Sequence, residues 1–313
     1  MAYQNVGTPR FWINEIAYRN AIGANWISSA SQDTLEHKNI YQLNPTHQND
    51  FNGGVSSLYL WTQLDYVMLL GHKFNTNSCS IKIEDENGLV TLTNTKNIIN
   101  DNVPSFDGWS YTMWETIYGQ HGDGNRLDIT FANSSSIGSI CVGKTFDMGH
   151  AADLSLSLTY NYDGIKKYTT RGGATLSSAE YTGPAKWGSR AAWELGTAGI
   201  ERTGRRMWTM SFSYLDANEL MPKLFSHSNI ESSYYDYANT SADTLGDVAG
   251  VGDFYSSVIT KTMGGHLPFI FQPDNTNDDP DQFAICRFDM KAFSYEQVSH
   301  NVYDMKLKIV EVW

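Results

Sequence analysis

The chain has 313 residues, of which 41% are hydrophobic and 13% aromatic, and this composition favours about two folded, β-rich domains over a disordered chain. A net charge of -12 argues against a nucleic-acid-binding surface, because phosphate binding needs clustered Lys and Arg, so we expect no sequence-specific nucleic acid partner. No apolar stretch approaches the ~18 residues of a membrane-spanning helix, and we expect no membrane insertion.

Three cysteines, Cys79, Cys141 and Cys286, are far apart in the sequence and odd in number. Cys141 and Cys286 fall in strand-like runs. This pattern predicts core thiols in a protein that is made in a reducing compartment. Because the N-terminus also lacks the apolar core of a signal peptide, we expect synthesis in the cytoplasm.

Residues 1–63 have little regular pattern and are predicted to form an N-terminal arm with one or two edge strands. Apolar side chains such as Phe11 and Trp12 are separated by Gly, Asn and Ser. The pattern leaves open whether they pack on the chain's own body or on a neighbouring subunit. We take Phe11 and Trp12 as candidate interface residues.

Residues 64–148 are predicted to form a β-sandwich of the jelly-roll or galactose-binding type. Val67–Leu70 is a continuous apolar run, which is typical of a central strand. Further strand-like runs are separated by Gly and Asn turns, and they cover residues 79–84, 89–92, 125–131 and 137–146. Several short strands at this spacing indicate a sandwich.

Residues 149–313 are predicted to form a C-terminal antiparallel β domain with one or two short helices and two long loops, 160–204 and 226–252. The first of these is a long loop or an extended hairpin. It contains Trp187 and Trp193, which we take as anchors and as candidate interface residues. A loop longer than about 15 residues within a compact domain is usually functional or held by a partner.

The clearest strand of the C-terminal domain is Arg206–Tyr214, where apolar and polar residues alternate and Tyr214 falls on the apolar face. Asp216 and Glu219 then have the spacing of a capping box. Asp253 is the predicted N-cap of a helix over 254–262. The last three predicted strands cover residues 267–272, 283–288 and 303–309. The first of these shows one strongly apolar face.

The common enzyme motifs are missing from the sequence, including GxSxG, HExxH, the Walker loop, GxGxxG and CxxC, so we predict no enzymatic activity. Asp274, Asp278 and Asp281 are the candidate ligands of a calcium ion, and no other cofactor is expected. Their loop lacks the glycine and the flanking helices of the common calcium loop. The alternatives are a non-helical calcium site and a solvated acidic turn.

Four residues form a candidate glycan-binding set: Trp109, Tyr111, Trp114 and His72. The three aromatic residues lie in an aromatic-rich connection of the predicted sandwich, and exposed rings of this kind stack on sugars. Burial of the rings in the core is the alternative. His72 follows Gly71 at a strand end, where a hydrogen-bonded core or turn histidine is the alternative reading.

Several segments resemble tail-associated structural proteins of tailed bacteriophages. Arg205–Leu215 looks like the step from an aromatic strand to a short helix in these proteins, and Pro268–Asp274 and Val302–Glu311 are similar to the same group. Leu69–Phe74 resembles a strand of the small galactose-binding-like sandwich that such proteins often carry in their N-terminal half.

The resemblance implies a minor tail, distal-tail or adaptor-like ring protein in the virion tail. Its partners would be copies of itself in a ring oligomer and other tail proteins, and no catalytic residues are implied. An acidic surface would let DNA pass through a channel without adhering. The alternative is a glycan- or receptor-binding module of a tail tip or fibre, with the sandwich at 64–148 binding a host-surface glycan.

Overall fold

The fold is given by a computed structural model and is mainly β with antiparallel sheets, as the sequence predicts. The residues that the structure describes are 7–23, 40–44, 49–51, 54–60, 64–72, 79–84, 92–97, 110–117, 125–131, 135–154, 156–161, 165–179, 186–187, 190–191, 194–195, 201–202, 205–220, 253–278 and 282–312.

The strands of the N-terminal half are mostly short. They are β1 Arg10–Trp12, β2 Asn49–Phe51, β3 Gly54–Leu60, β4 Leu64–Leu70, β5 Cys79–Glu84, β6 Leu92–Asn97, β7 Ser110–Ile117, β8 Asn125–Phe131, β9 Ser135–Ile137, β10 Ser139–Gly143 and β11 Thr145–Asp147.

The C-terminal half contains the two longest strands of the described residues, β19 and β23. Its strands are β12 Ser157–Asn161, β13 Ile165–Thr169, β14 Thr175–Ala179, β15 Lys186–Trp187, β16 Arg190–Ala191, β17 Glu194–Leu195, β18 Glu201–Arg202, β19 Arg205–Asp216, β20 Phe269–Gln272, β21 Ala284–Phe288, β22 Tyr295–Ser299 and β23 Val302–Glu311. The helices are α1 Glu15–Ala21, α2 Ala217–Leu220 and a π-helix, Tyr255–Thr260.

An eight-stranded antiparallel sheet, the large sheet, organises the fold. Its order is β11-β1-β20-β21-β23-β19-β12, and β22 also pairs with β23. A three-stranded small sheet has the order β10-β4-β7, and a four-stranded sheet has the order β3-β8-β5-β6. Four two-stranded ladders complete the described pairings: β2-β9, β13-β14, β15-β16 and β17-β18.

The strand pairings do not follow the predicted boundaries at residues 63 and 148. Strand β1 comes from the predicted arm, yet Phe11 lies opposite Phe146 on one side and opposite Phe271 on the other. Strand β11 comes from the predicted sandwich but ends the large sheet. The sequence predicted edge strands in the arm, but β1 pairs on both sides, and its three residues carry too little alternation to locate it.

The large sheet is buried on both faces around strand β20. Phe269 and Phe271 belong to a first core, together with Phe11. Ile270 belongs to a second core, which joins the large sheet to Tyr66 of the small sheet. The sequence predicted one strongly apolar face for this strand, which Phe269 and Phe271 confirm, but it did not reveal that the small sheet covers the other face as well. Gln272 is buried too, and it accepts a hydrogen bond from Trp12 Nε1 at 3.2 Å.

The alternation predicted for the two long strands is confirmed for most of their length. In β19 Trp208, Met210 and Phe212 are buried, and in β23 Leu307 and Ile309 pack in the same core. A buried ion pair links the start of β19 to the end of β23. Arg206 Nη2 lies 3.0 Å from Glu311 Oε1 and also donates to the carbonyl oxygen of Phe283 at 2.7 Å.

The predicted caps of both C-terminal helices are present. Asp253 Oδ1 accepts a hydrogen bond from the Ser256 amide at 2.7 Å, and the Asp216 amide donates to Glu219 Oε2 at 3.0 Å. The helix that Asp253 caps has the wider π turn over Tyr255–Thr260 instead of the predicted α-helix. Gly265 ends this segment with a φ of 92°, a conformation that favours glycine.

Candidate functional site

The predicted calcium loop is shaped by hydrogen bonds within itself. Asp274 is buried, and its Oδ1 accepts from the Thr276 amide at 3.0 Å and from Thr276 Oγ1 at 2.7 Å. Asp278 Oδ1 accepts from Gln272 Nε2 at 3.2 Å. Asp281 lies outside the described residues. Within the described part of the chain no group of three His, Cys, Asp or Glu side chains is placed to hold a metal ion.

The same loop is tied to strands β1 and β11 by a short polar ladder. The Asn275 amide donates to the carbonyl oxygen of Thr8 at 2.9 Å, and Asn275 Nδ2 donates to Asp147 Oδ2 at 3.0 Å. Arg10 donates to both carboxylate oxygens of Asp147, at 2.6 and 2.8 Å. These hydrogen bonds raise the pKa of Arg10. The ladder holds three chain segments together, which is a structural role.

The structure places two members of the predicted glycan-binding set against the interior. His72 is buried, and its Nε2 lies 2.6 Å from Ser110 Oγ. Burial lowers the pKa of His72 to about 4, so the ring is neutral at pH 7. The prediction that His72 faces a sugar is therefore wrong, because a sugar cannot reach a buried imidazole.

Tyr111 is half-buried at the rim of the second core. Its ring makes an edge-type contact with Trp12, with ring centroids 5.3 Å apart, and a tilted contact with Phe283, with centroids 5.6 Å apart. Burial and the nearby charge of Asp278 raise the pKa of Tyr111 to about 12. Trp109 lies outside the described residues, as does the side chain of Trp114, whose backbone is in β7. The described residues thus do not assemble the predicted set.

The predicted interface residues Phe11 and Trp12 lie inside the chain. Both are fully buried, Phe11 in the first core and Trp12 in the second, so neither ring is available to a neighbouring subunit and the interface prediction is wrong for them. The backbone of Trp187 pairs with Arg190 in a short ladder, while its side chain and the whole of Trp193 lie outside the described residues.

An apolar surface that the sequence did not reveal lies at the β12 end of the large sheet. Nine large hydrophobic side chains are exposed in the described part of the chain, and five of them lie on or near β12, on the hairpin that follows it or on the adjacent strand β19. These five are Leu154, Tyr160, Tyr168, Leu176 and Tyr214. We call them the exposed edge. Single exposed hydrophobic residues are ordinary, but five of the nine on neighbouring elements at this edge favour interaction surfaces here.

Tyr214 is exposed because a β-bulge reverses the alternation of strand β19. The pairing with β23 shifts between Phe212 and Leu215, which brings Leu215 into the core and leaves Tyr214 80% exposed. The sequence placed Tyr214 on the apolar face, which is wrong. Its backbone has a φ of 65°, and its amide donates to Asp304 Oδ1 at 3.2 Å. A left-handed tyrosine costs about 1–2 kcal/mol.

Comparison with known protein families found no matching family, and comparisons with curated proteins and with solved structures found no similar protein. None of the helices in the described ranges is both long and apolar enough to cross a membrane.

Proposed function

We propose that this chain is a structural component of a bacteriophage tail, as a minor tail, distal-tail or adaptor-like ring protein. It acts through contacts with copies of itself and with other tail proteins, and not as an enzyme. The resemblance of Arg205–Leu215, Pro268–Asp274 and Val302–Glu311 to tail-associated proteins supports the assignment to a tail.

The exposed edge is the observation that carries this proposal. The chain buries aromatic residues in two cores, so it has an interior that accommodates large apolar side chains. The apolar residues of the exposed edge are nevertheless left in contact with water. Covering apolar surface stabilises an assembly by roughly 25 cal/mol per Å² removed from water. A subunit of a large assembly gains this energy when a neighbour covers the exposed edge.

The charge of the chain is compatible with a position around the tail axis. With a net charge of -12, an assembled ring of such subunits would repel the phosphates of DNA over most of its surface. We therefore place the protein in the virion tail, after synthesis in the host cytoplasm.

The alternative function, a glycan- or receptor-binding module of a tail tip or fibre, keeps little of its predicted support. His72 is buried beside Ser110, and the half-buried Tyr111 ring packs against Trp12 and Phe283 of the second core. A sugar-binding platform needs an aromatic face that is open to solvent. Binding to a glycan array that is lost in Tyr111→Ala would favour this alternative.

Electron microscopy of phage particles that carry an affinity-tagged copy of this chain tests the proposal. Labelling confined to the tail, with density arranged as a ring around its axis, is the expected result. Label on the capsid only, or particles that assemble normally without the protein, would contradict it.

A further inference from the structure

The hairpin formed by β13 and β14, residues 165–179, has the features of a docking element. Tyr168 and Leu176 face each other across its two strands, and they are 55% and 58% exposed. In the described part of the chain β13 and β14 pair only with each other. An isolated two-stranded hairpin is marginally stable in water and gains stability when its apolar face is covered.

The hairpin is basic, whereas the chain as a whole is acidic. It contains Lys166, Lys167 and Arg171 and no Asp or Glu. Since the whole chain has a net charge of -12, the residues outside the hairpin carry a net charge of -15. The body of a second copy is therefore an electrostatically favourable partner for this element.

The bulge in strand β19 presents the complementary surface, which we call the bulge surface. Asp153 Oδ2 accepts from Ser213 Oγ at 2.8 Å, and the Asp153 amide donates to the carbonyl oxygen of Ser211 at 2.8 Å. These bonds hold the residue before Leu154 against the part of β19 that contains the bulge, and both Leu154 and Tyr214 are exposed. Two further carboxylates, Asp216 and Asp304, lie in the segments that flank the bulge, and Lys306 opposite Ser211 is the cation among them. Exposed apolar side chains with three carboxylates in the adjoining segments match a basic hairpin with an apolar cross-strand pair.

The chain leaves β12 towards the hairpin at the end of the β12–β19 pair that lies opposite to the bulge. Asn161, the last residue of β12, lies opposite Arg205, and the hairpin follows from this end. The bulge lies between Phe212 and Leu215. At about 3.3 Å per residue, Arg205 and Tyr214 are roughly 30 Å apart along the strand. A contact between the hairpin of one copy and the bulge surface of another is thus head-to-tail, and such contacts repeat into rings or filaments.

We propose that the hairpin of one copy docks on the bulge surface of a second copy of this chain. Tyr168 and Leu176 then pack against Leu154 and Tyr214, and the positive charge of the hairpin is attracted by the acidic body of the second copy. This inference rests on the proposed function as a self-assembling tail subunit and identifies the contact that joins the subunits. It also explains why a strained tyrosine stands at an exposed bulge.

Complementation of two variants tests the contact. The hairpin variant is Tyr168→Ser with Leu176→Ser, and the bulge variant is Leu154→Ser with Tyr214→Asn, since Asn tolerates a positive φ. Sedimentation equilibrium of the full-length chains should show association of the wild type and self-association weakened about tenfold or more in each variant. An equimolar mixture should form a heterodimer of about twice the 35.1 kDa monomer mass, because one intact hairpin meets one intact bulge surface.

The control variant is Ile22→Ser with Val298→Ser, which removes two exposed hydrophobic residues elsewhere and should associate like the wild type. Matching circular dichroism spectra and urea midpoints establish that the variants fold. If the wild type associates and both interface variants do so equally well, the hairpin contact is wrong while the proposed function stands. A wild type that is monomeric at every concentration overturns both. Heparin binding that is lost in Lys167→Ser with Arg171→Ser, together with unchanged self-association of the hairpin variant, would assign the hairpin to an acidic polymer instead and also overturn the contact.

Discussion

Replacing Glu311 by Gln is expected to destabilise the fold severely, because it leaves a buried guanidinium without its counter-ion. Glu311 Oε2 accepts from the Arg206 amide at 2.9 Å and from Arg206 Nε at 3.2 Å, and Oε1 accepts from Nη2 at 3.0 Å. Burial alone would lower the pKa of Arg206, but the charge and hydrogen bonds of Glu311 raise it. The variant loses these contributions of Glu311, but Arg206 stays charged because a guanidinium is not deprotonated in proteins.

The expected cost follows from the burial of both partners. The side chains of Arg206 and Glu311 are 7% and 3% exposed, and breaking a buried pair by removing one charge costs about 3–5 kcal/mol. This is a large part of the roughly 5–15 kcal/mol that stabilises a typical domain. The ion pair between Lys308 and Asp289 is a matched control, since its side chains are 42% and 50% exposed and such pairs contribute about 0–1 kcal/mol.

Urea unfolding followed by tryptophan fluorescence measures both effects, since Trp208 lies over the Arg206 guanidinium at 5.2 Å. Glu311→Gln should lower the free energy of unfolding by several times as much as Asp289→Asn. Equal losses in the two variants, or a loss below about 1 kcal/mol in Glu311→Gln, would refute the argument that the buried pair braces the large sheet.

Further predictions concern two buried titratable groups and one glycine. Burial raises the pKa of Asp65 to about 6. Protonated Asp65 therefore contributes to the stability of the folded chain; this contribution is fully present below pH 3.8 and is lost as the pH rises through 6. In urea titrations at successive pH values, Asp65→Asn should abolish this loss of about 3 kcal/mol in the free energy of unfolding. His72 has the opposite effect on the pH dependence of stability. The contribution of the neutral ring is present above pH 6.5 and is lost as the pH falls towards the pKa of about 4, and His72→Gln should remove this loss of stability at low pH. If the free energy of unfolding depends on pH in the same way in the wild type and in both variants, burial does not shift the pKa values of Asp65 and His72 as described. Gly265→Ala should lower the free energy of unfolding by about 1–3 kcal/mol, since a Cβ at this position meets Phe288 Cβ at 2.9 Å. Gly172→Ala is the control, because a Cβ there lies in open space. Equal melting temperatures of the two variants in thermal unfolding would contradict this expectation.

The parts of the fold that were predictable from the sequence are those encoded by local pattern. The long strands β19 and β23 carry enough alternating residues to reveal their buried faces, and the caps at Asp216 and Asp253 are local hydrogen bonds between near neighbours. Such features depend on residues within a few positions of one another. The mainly β antiparallel class follows from the same signals.

The remaining features depend on partners distant in the sequence. Strand β1 has three residues and is recognisable only beside Phe146 and Phe271. Ile270 faces a second core because the small sheet covers that side. The exposure of Tyr214 depends on a bulge, and a single extra residue reverses every later side chain in a strand. For this reason the exposed edge could not be found from alternation alone.

The central claim is that this chain assembles with copies of itself. Native mass spectrometry of the purified full-length protein over a wide range of concentrations tests it most directly. Species at multiples of the 35.1 kDa monomer mass should appear and become more abundant as the concentration rises. A single species of 35.1 kDa at every concentration would contradict it.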